Sequence, residues 1–97
     1  MSFNVAATYQ AEPGKEAEVE GYLLAMIGPT RAEPGCESYR ILRSRDDNRV
    51  FLLIESYQSE DDFEFHKNSP HFDQNIRNGV WTALESRSVI FGEEIGV

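Results

Sequence analysis

Arg49-Val50-Phe51-Leu52-Leu53-Ile54-Glu55-Ser56-Tyr57-Gln58 is the stretch that decides the fold. Its apolar run is unbroken from Val50 to Ile54. Read as a strand, it places Val50, Leu52 and Ile54 on one face and Phe51, Leu53 and Tyr57 on the other. A strand that is apolar on both faces is covered on both faces. Glu55 falls among Phe51, Leu53 and Tyr57, where a charge wants a partner. Arg40 or Arg43 on the preceding strand is the expected partner, so Glu55 reads first as half of a cross-strand ion pair.

Just upstream, Asp46-Asp47-Asn48 is a turn cluster, and Glu37 to Asp46 before it reads as the other arm of a hairpin. There Tyr39, Ile41 and Arg43 share one face and Arg40 and Leu42 the other. Further back, Phe3 to Gln10 alternates with Phe3, Val5, Ala7 and Tyr9 on one side, a strand signal. After Pro13-Gly14, Val19, Tyr22, Leu23, Met26 and Ile27 recur at helical spacing. Gly28-Pro29 is expected to kink or shorten that helix, and Pro34-Gly35 to stop it. Downstream, Ser59 opens a short helix with Phe63 and His66 on one side. Ser69-Pro70 restarts it, and Phe72, Ile76, Val80 and Leu84 then recur every four residues, which predicts one continuing helix. Arg87 to Ile95 reads as a last strand.

The order is β-α-β-β-α-β over 97 residues, taken as a single domain spanning 1–97. The favoured closure is α+β and ferredoxin-like: a four-stranded antiparallel sheet with both helices on one face. Phe3, Val5, Tyr39, Ile41, Val89 and Phe91 offer more apolar surface than one helical layer hides. A second copy is the simplest cover, so a homodimer with sheet packed on sheet is expected.

Composition narrows the function. There are 17 Asp+Glu against 9 Lys+Arg, a net charge of −8, which argues against nucleic-acid backbones and anionic lipid as partners. Cys36 is the only cysteine, so neither an internal disulfide nor a cysteine metal cluster is expected. No apolar run is long enough for a transmembrane helix, and a cytoplasmic location is expected. No glycine-rich phosphate loop follows a strand, so no nucleotide or flavin cofactor is indicated. His66, facing the sheet beside Phe63, is the leading catalytic candidate, because an imidazole in an apolar crevice exchanges protons near neutral pH. His71 lies beyond the Pro70 break, which removes regular helical spacing, so no two-histidine metal site is expected. Cys36 has no basic neighbour in the sequence and reads as inert.

Glu55-Ser56-Tyr57 followed by Phe63-Glu64-Phe65-His66-Lys67-Asn68-Ser69-Pro70-His71-Phe72 resembles the antibiotic biosynthesis monooxygenase family. Pro13-Gly14-Lys15 and Glu33-Pro34-Gly35-Cys36 fit the same pattern, with Tyr57 where the family usually carries Trp. The resemblance implies a dimeric α+β barrel with a pocket between helices and sheet in each subunit. It implies a monooxygenase without metal or flavin that oxidises a small aromatic hydroquinone or phenol to a quinone with O₂. His66 would be the base or hydrogen-bond partner, and Tyr57, Phe63, His71 and Trp81 would contact the substrate. Haem-degrading relatives use an Asn in the first strand and a Trp in the second helix; Ala7 and His66 stand at or near those positions here, a departure from the haem pattern. Two alternatives stay open: a small-metabolite isomerase of the same fold, and a non-catalytic ligand-binding dimer.

Overall fold

The computed structural model describes residues 1–97. The elements are β1 (Phe3–Ala11), α1 (Glu16–Arg31), β2 (Cys36–Arg43), β3 (Val50–Tyr57), α2 (Glu60–Lys67), a single turn α3 (Pro70–Phe72) and β4 (Leu84–Gly92). The strands form one antiparallel sheet in the order β2-β3-β1-β4, the ferredoxin-like α+β arrangement. No helix is long and apolar enough to cross a membrane.

Alternation along β3 sets the two faces. Phe51, Leu53, Glu55 and Tyr57 are buried, while Val50, Leu52, Ile54 and Ser56 are half-exposed. Register carries that division across the sheet: Val5 and Tyr39 flank Glu55, and Ala7 and Ile41 flank Leu53. Against this face α1 lays Val19, Leu23, Met26 and Thr30, a stripe spaced by four, three and four. Gly14, at φ 85°, takes the left-handed turn that leads the chain from β1 toward α1. The helix does not stop at Pro29 but runs on to Arg31, where Ala32 N–H closes on the Gly28 carbonyl at 3.2 Å.

The expected single helix from Ser69 to Leu84 is not what forms. Ser69 caps α3 by accepting from Phe72 N–H at 3.2 Å. The chain then widens into a π-helical turn, Asp73–Arg77, with Asn78 N–H bonded five residues back to the Asp73 carbonyl at 3.0 Å. The helical run ends before Gly79, where only glycine fits because a Cβ would collide with the Asn75 carbonyl oxygen and the Tyr22 ring. A 3₁₀ turn, Val80–Ala83, follows, and Leu84 already belongs to β4. The four-residue spacing was real as a burial pattern, since Phe72, Ile76 and Val80 are all buried, but three different turn geometries produce it.

The apolar surplus also falls elsewhere than expected. Val89 and Phe91 pair with Ala7 and Val5, which puts them on the helix side of the sheet with the other residues counted as surplus. They remain half-exposed because the helical layer stops short of β4, and the uncovered strip forms one wall of a cavity. The opposite, open face carries a smaller apolar strip: Leu42, Leu52, Ile54, Ala6 and Ile90, aligned by register.

Candidate active site

Between β4, the inner face of β1 and the α2–α3 segment lies a cavity of about 350 Å³. Val5, Ala7 and Tyr9 form its floor; Phe63, Phe72, Trp81 and Phe91 supply aromatic walls. Glu55, Lys67 and Arg87 are its charged groups. The Arg87 guanidinium lies 3.5 Å from the centre of the Trp81 ring, and the Lys67 ammonium sits 5.1 Å from that of Phe63. A small space with mostly apolar walls and few polar groups is what binds a flat organic molecule.

Glu55 is the ionisable group built into the wall. β3 holds it on the buried face between Leu53 and Tyr57, and only 6% of it is exposed. The Tyr57 hydroxyl donates to its Oε1 at 2.6 Å. Burial pushes the Glu55 carboxyl up to about 7; the Tyr57 hydrogen bond works against that rise and nearby Glu33 adds to it. The expected pairing with arginine is overturned. Arg43 sits opposite Phe51 and binds Glu20 at 2.8 Å, while Arg40 sits opposite Ile54 and so points to the open face.

Behind Glu55 stands His66, whose Nε2 is 3.8 Å from Glu55 Oε1. It is buried among Tyr57, Phe72 and Phe63 and does not itself line the cavity. Its Nδ1 is 2.9 Å from Glu33 Oε2, and His71 Nε2 reaches the same oxygen at 2.5 Å. Burial pulls the His66 imidazole below its ordinary range, opposed by the bond to and charge of Glu33. Of the other expected contacts, Phe63 and Trp81 line the cavity, whereas Tyr57 and His71 lie behind its wall. Burial also raises the Tyr57, Tyr39 and Tyr9 hydroxyls, so none is an anion near neutrality. The Cys36 thiol is pushed up to about 11, mainly by burial, in keeping with an inert role.

Although the Pro70 break removes regular helical spacing, the two histidines converge on one carboxylate. The break turns His71 back toward the α1–β2 loop that carries Glu33. These three groups lie within 4.8 Å of one another, near enough to share a cation. Two ligands on a tetrahedral zinc stand about 3.4 Å apart, however. The observed 2.5 and 2.9 Å are hydrogen-bond separations, so as they stand the three side chains are joined by hydrogen bonds. Glu33 itself went unmarked in the sequence. It lies 33 residues from His66, and Glu33-Pro34-Gly35-Cys36 offers a helix stop and a family resemblance but no sign of a partner for Glu33.

A family model described as antibiotic biosynthesis monooxygenase matches residues 2–77. Among curated proteins, the chain is 38% identical over 68 residues to "Putative monooxygenase Rv0793" of Mycobacterium tuberculosis, covering 70% of this chain and 66% of that protein. It is 29% identical over 72 residues to the uncharacterized protein sll1783 of Synechocystis, covering 74% of this chain and 49% of that protein. The matched region thus spans about half to two thirds of the length of these relatives. Among solved structures, Rv0793 superposes with a TM-score of 0.91 at 31% identity, over 100% of this chain and 98% of that one. PA3566 from Pseudomonas aeruginosa superposes with a TM-score of 0.92 at 28% identity, over 98% and 95% of the two chains.

Proposed function

The chain belongs to the antibiotic biosynthesis monooxygenase family, and from that premise we propose that it oxidises a small aromatic hydroquinone or phenol to a quinone with O₂, drawing the electrons from the substrate itself. The observation that carries this reading is a single buried carboxyl, raised to about 7, set in the wall of an aromatic cavity of about 350 Å³. A ring seated against Phe63, Phe72, Trp81 and Phe91 brings a phenolic hydroxyl to Glu55. Glu55 takes its proton, and the resulting phenolate is the species electron-rich enough to reduce O₂. A phenol with a free para carbon then yields quinone and water; a hydroquinone yields quinone and hydrogen peroxide. His66 acts behind Glu55 by receiving the proton, and the aromatic walls keep bulk water from the reacting ring.

The functional unit in this reading is a homodimer. Its support is the apolar strip on the open face, where Ile90 is 69% exposed and Leu42 46% exposed. The test of the activity is oxygen uptake with 1,4-naphthohydroquinone. Uptake above the spontaneous rate is expected, with loss in Glu55→Gln. A rate equal to autoxidation across a panel of hydroquinones and phenols overturns the reading.

A further inference from the structure

We propose that His66, Glu33 and His71 form a proton outlet, carrying the proton taken up by Glu55 out of the back of the cavity to the α3 surface. The inference rests on the reading above, in which Glu55 is the group that meets the substrate. Once a ring fills the cavity it stands between Glu55 and the mouth, so a proton on Glu55 needs another route. Behind it, three ionisable side chains are arranged in series. Glu55 Oε1 and His66 Nε2 are 3.8 Å apart, His66 Nδ1 and Glu33 Oε2 are 2.9 Å apart, and Glu33 Oε2 and His71 Nε2 are 2.5 Å apart. Exposure rises at the far end: the side chains of Glu33 and His66 are 4% and 2% exposed, and that of His71 is 19%.

The hydrogen bonds set the direction. An ionised Glu33 can only accept, so the hydrogen of neutral His66 sits on Nδ1. Its Nε2 lone pair therefore faces Glu55. The first gap exceeds a hydrogen bond and closes with a modest movement of either side chain, as such contacts do when a site is loaded. In the transfer, the O–H bond on Glu55 breaks as an N–H forms at His66 Nε2. The N–H at Nδ1 breaks as an O–H forms on Glu33. His71, hydrogen-bonded to Glu33 through Nε2, gives a ring proton to water as Glu33 takes up the new one. One proton enters from the substrate and one leaves.

A purely structural cluster, tying the α2–α3 junction to the α1–β2 loop, has the same contacts but no such traffic. The test is chemical rescue. In weak buffer, His71→Asn should lower naphthohydroquinone-dependent oxygen uptake by at least ~10-fold, and added imidazole should restore most of it while leaving the wild type unchanged. Thermal unfolding must match the wild type; if His71→Asn does not fold, His71→Gln takes its place. Full activity without imidazole, or a loss that imidazole does not repair, overturns the outlet. Histidine ¹⁵N resonances test it without turnover. As Glu55 titrates, both His66 and His71 should respond in the wild type, and in Glu33→Gln only His66 should. A silent His71 in the wild type overturns the outlet even if oxygen uptake is normal. Absent uptake with coupled histidines overturns the oxidation chemistry instead.

Discussion

Tyr57 donates its hydroxyl proton to Glu55 from two residues further along the same face of β3, at 2.6 Å. Period-two geometry makes the pair possible, since residues i and i+2 of a strand stand side by side. It gives the buried carboxylate a donor that it lacks elsewhere in the wall and opposes the upward pull of burial. Tyr57→Phe keeps the ring that packs on Phe63 and His66 but removes the donor. Glu55 should then ionise at higher pH, and the rise of oxygen uptake with pH should move up by about one pH unit. An oxygen-electrode pH profile measures it, and an unmoved midpoint refutes the pairing as a control on the base.

Stability should carry the opposite signature. Glu55 is raised from 4.5 to about 7 in the fold, so between those values the folded chain holds a proton that the unfolded chain has lost. The contribution of Glu55 is therefore present at low pH and lost as pH climbs through 7. His66, lowered mainly by burial, works the other way and destabilises the fold as pH falls below its ordinary range. Tyr57, His66 and Glu33 are the groups that bear on Glu55. Glu55→Gln should be more stable than the wild type at pH 8, by up to about 3 kcal/mol, with the gap shrinking toward pH 5. Calorimetry at the two pH values decides it.

Trp81 is the only tryptophan in the chain and lines the cavity, so its fluorescence reports occupancy. Titration with 1,4-naphthoquinone should quench it. Phe91→Ala removes an aromatic wall and should weaken binding roughly tenfold. Ile90→Ala, one residue away on the open face, should leave the binding curve unchanged.

Ser69 does two jobs: it accepts from Phe72 N–H at 3.2 Å and donates to the His66 carbonyl at 2.7 Å. Ser69→Ala should lower stability by about 1 kcal/mol in chemical denaturation. It should also loosen the junction that holds His71 on Glu33, visible as altered His71 resonances.

For the proposed homodimer, Ile54→Asp places a charge at the centre of the open-face strip while leaving the cavity side of β3 intact. Sedimentation should show the wild type as a dimer and the variant as a monomer. A monomeric wild type removes the pairing.

Much of this architecture was legible in the chain. The double-faced apolar run of β3 and the alternation of β1 were enough to mark strands, because side-chain period and burial are local properties, and the β-α-β-β-α-β order gave the fold class. The spacing after Ser69 predicts one helix where three turn types form, because spacing reports which residues are buried, not the backbone geometry that buries them. The difference lies in the room at Gly79, a contact with Tyr22 from another element. His66 was visible as a buried histidine. Glu33 was not, because its role depends on a loop closing over a residue 33 positions away, which no local pattern encodes. Glu55 was noticed but assigned to arginine, since strand order suggests neighbours without showing that register sets Arg43 beside Phe51.

The widened turn at Asp73–Arg77 makes this region more sensitive to length than to identity. Its surplus residue fixes the angular phase of everything between α3 and the last strand. Losing one position there would swing the indole about 100° around the segment axis and take it away from the guanidinium that rests on it. Relatives that share this chamber should therefore tolerate exchanged side chains along the turn more readily than single-residue insertions or deletions.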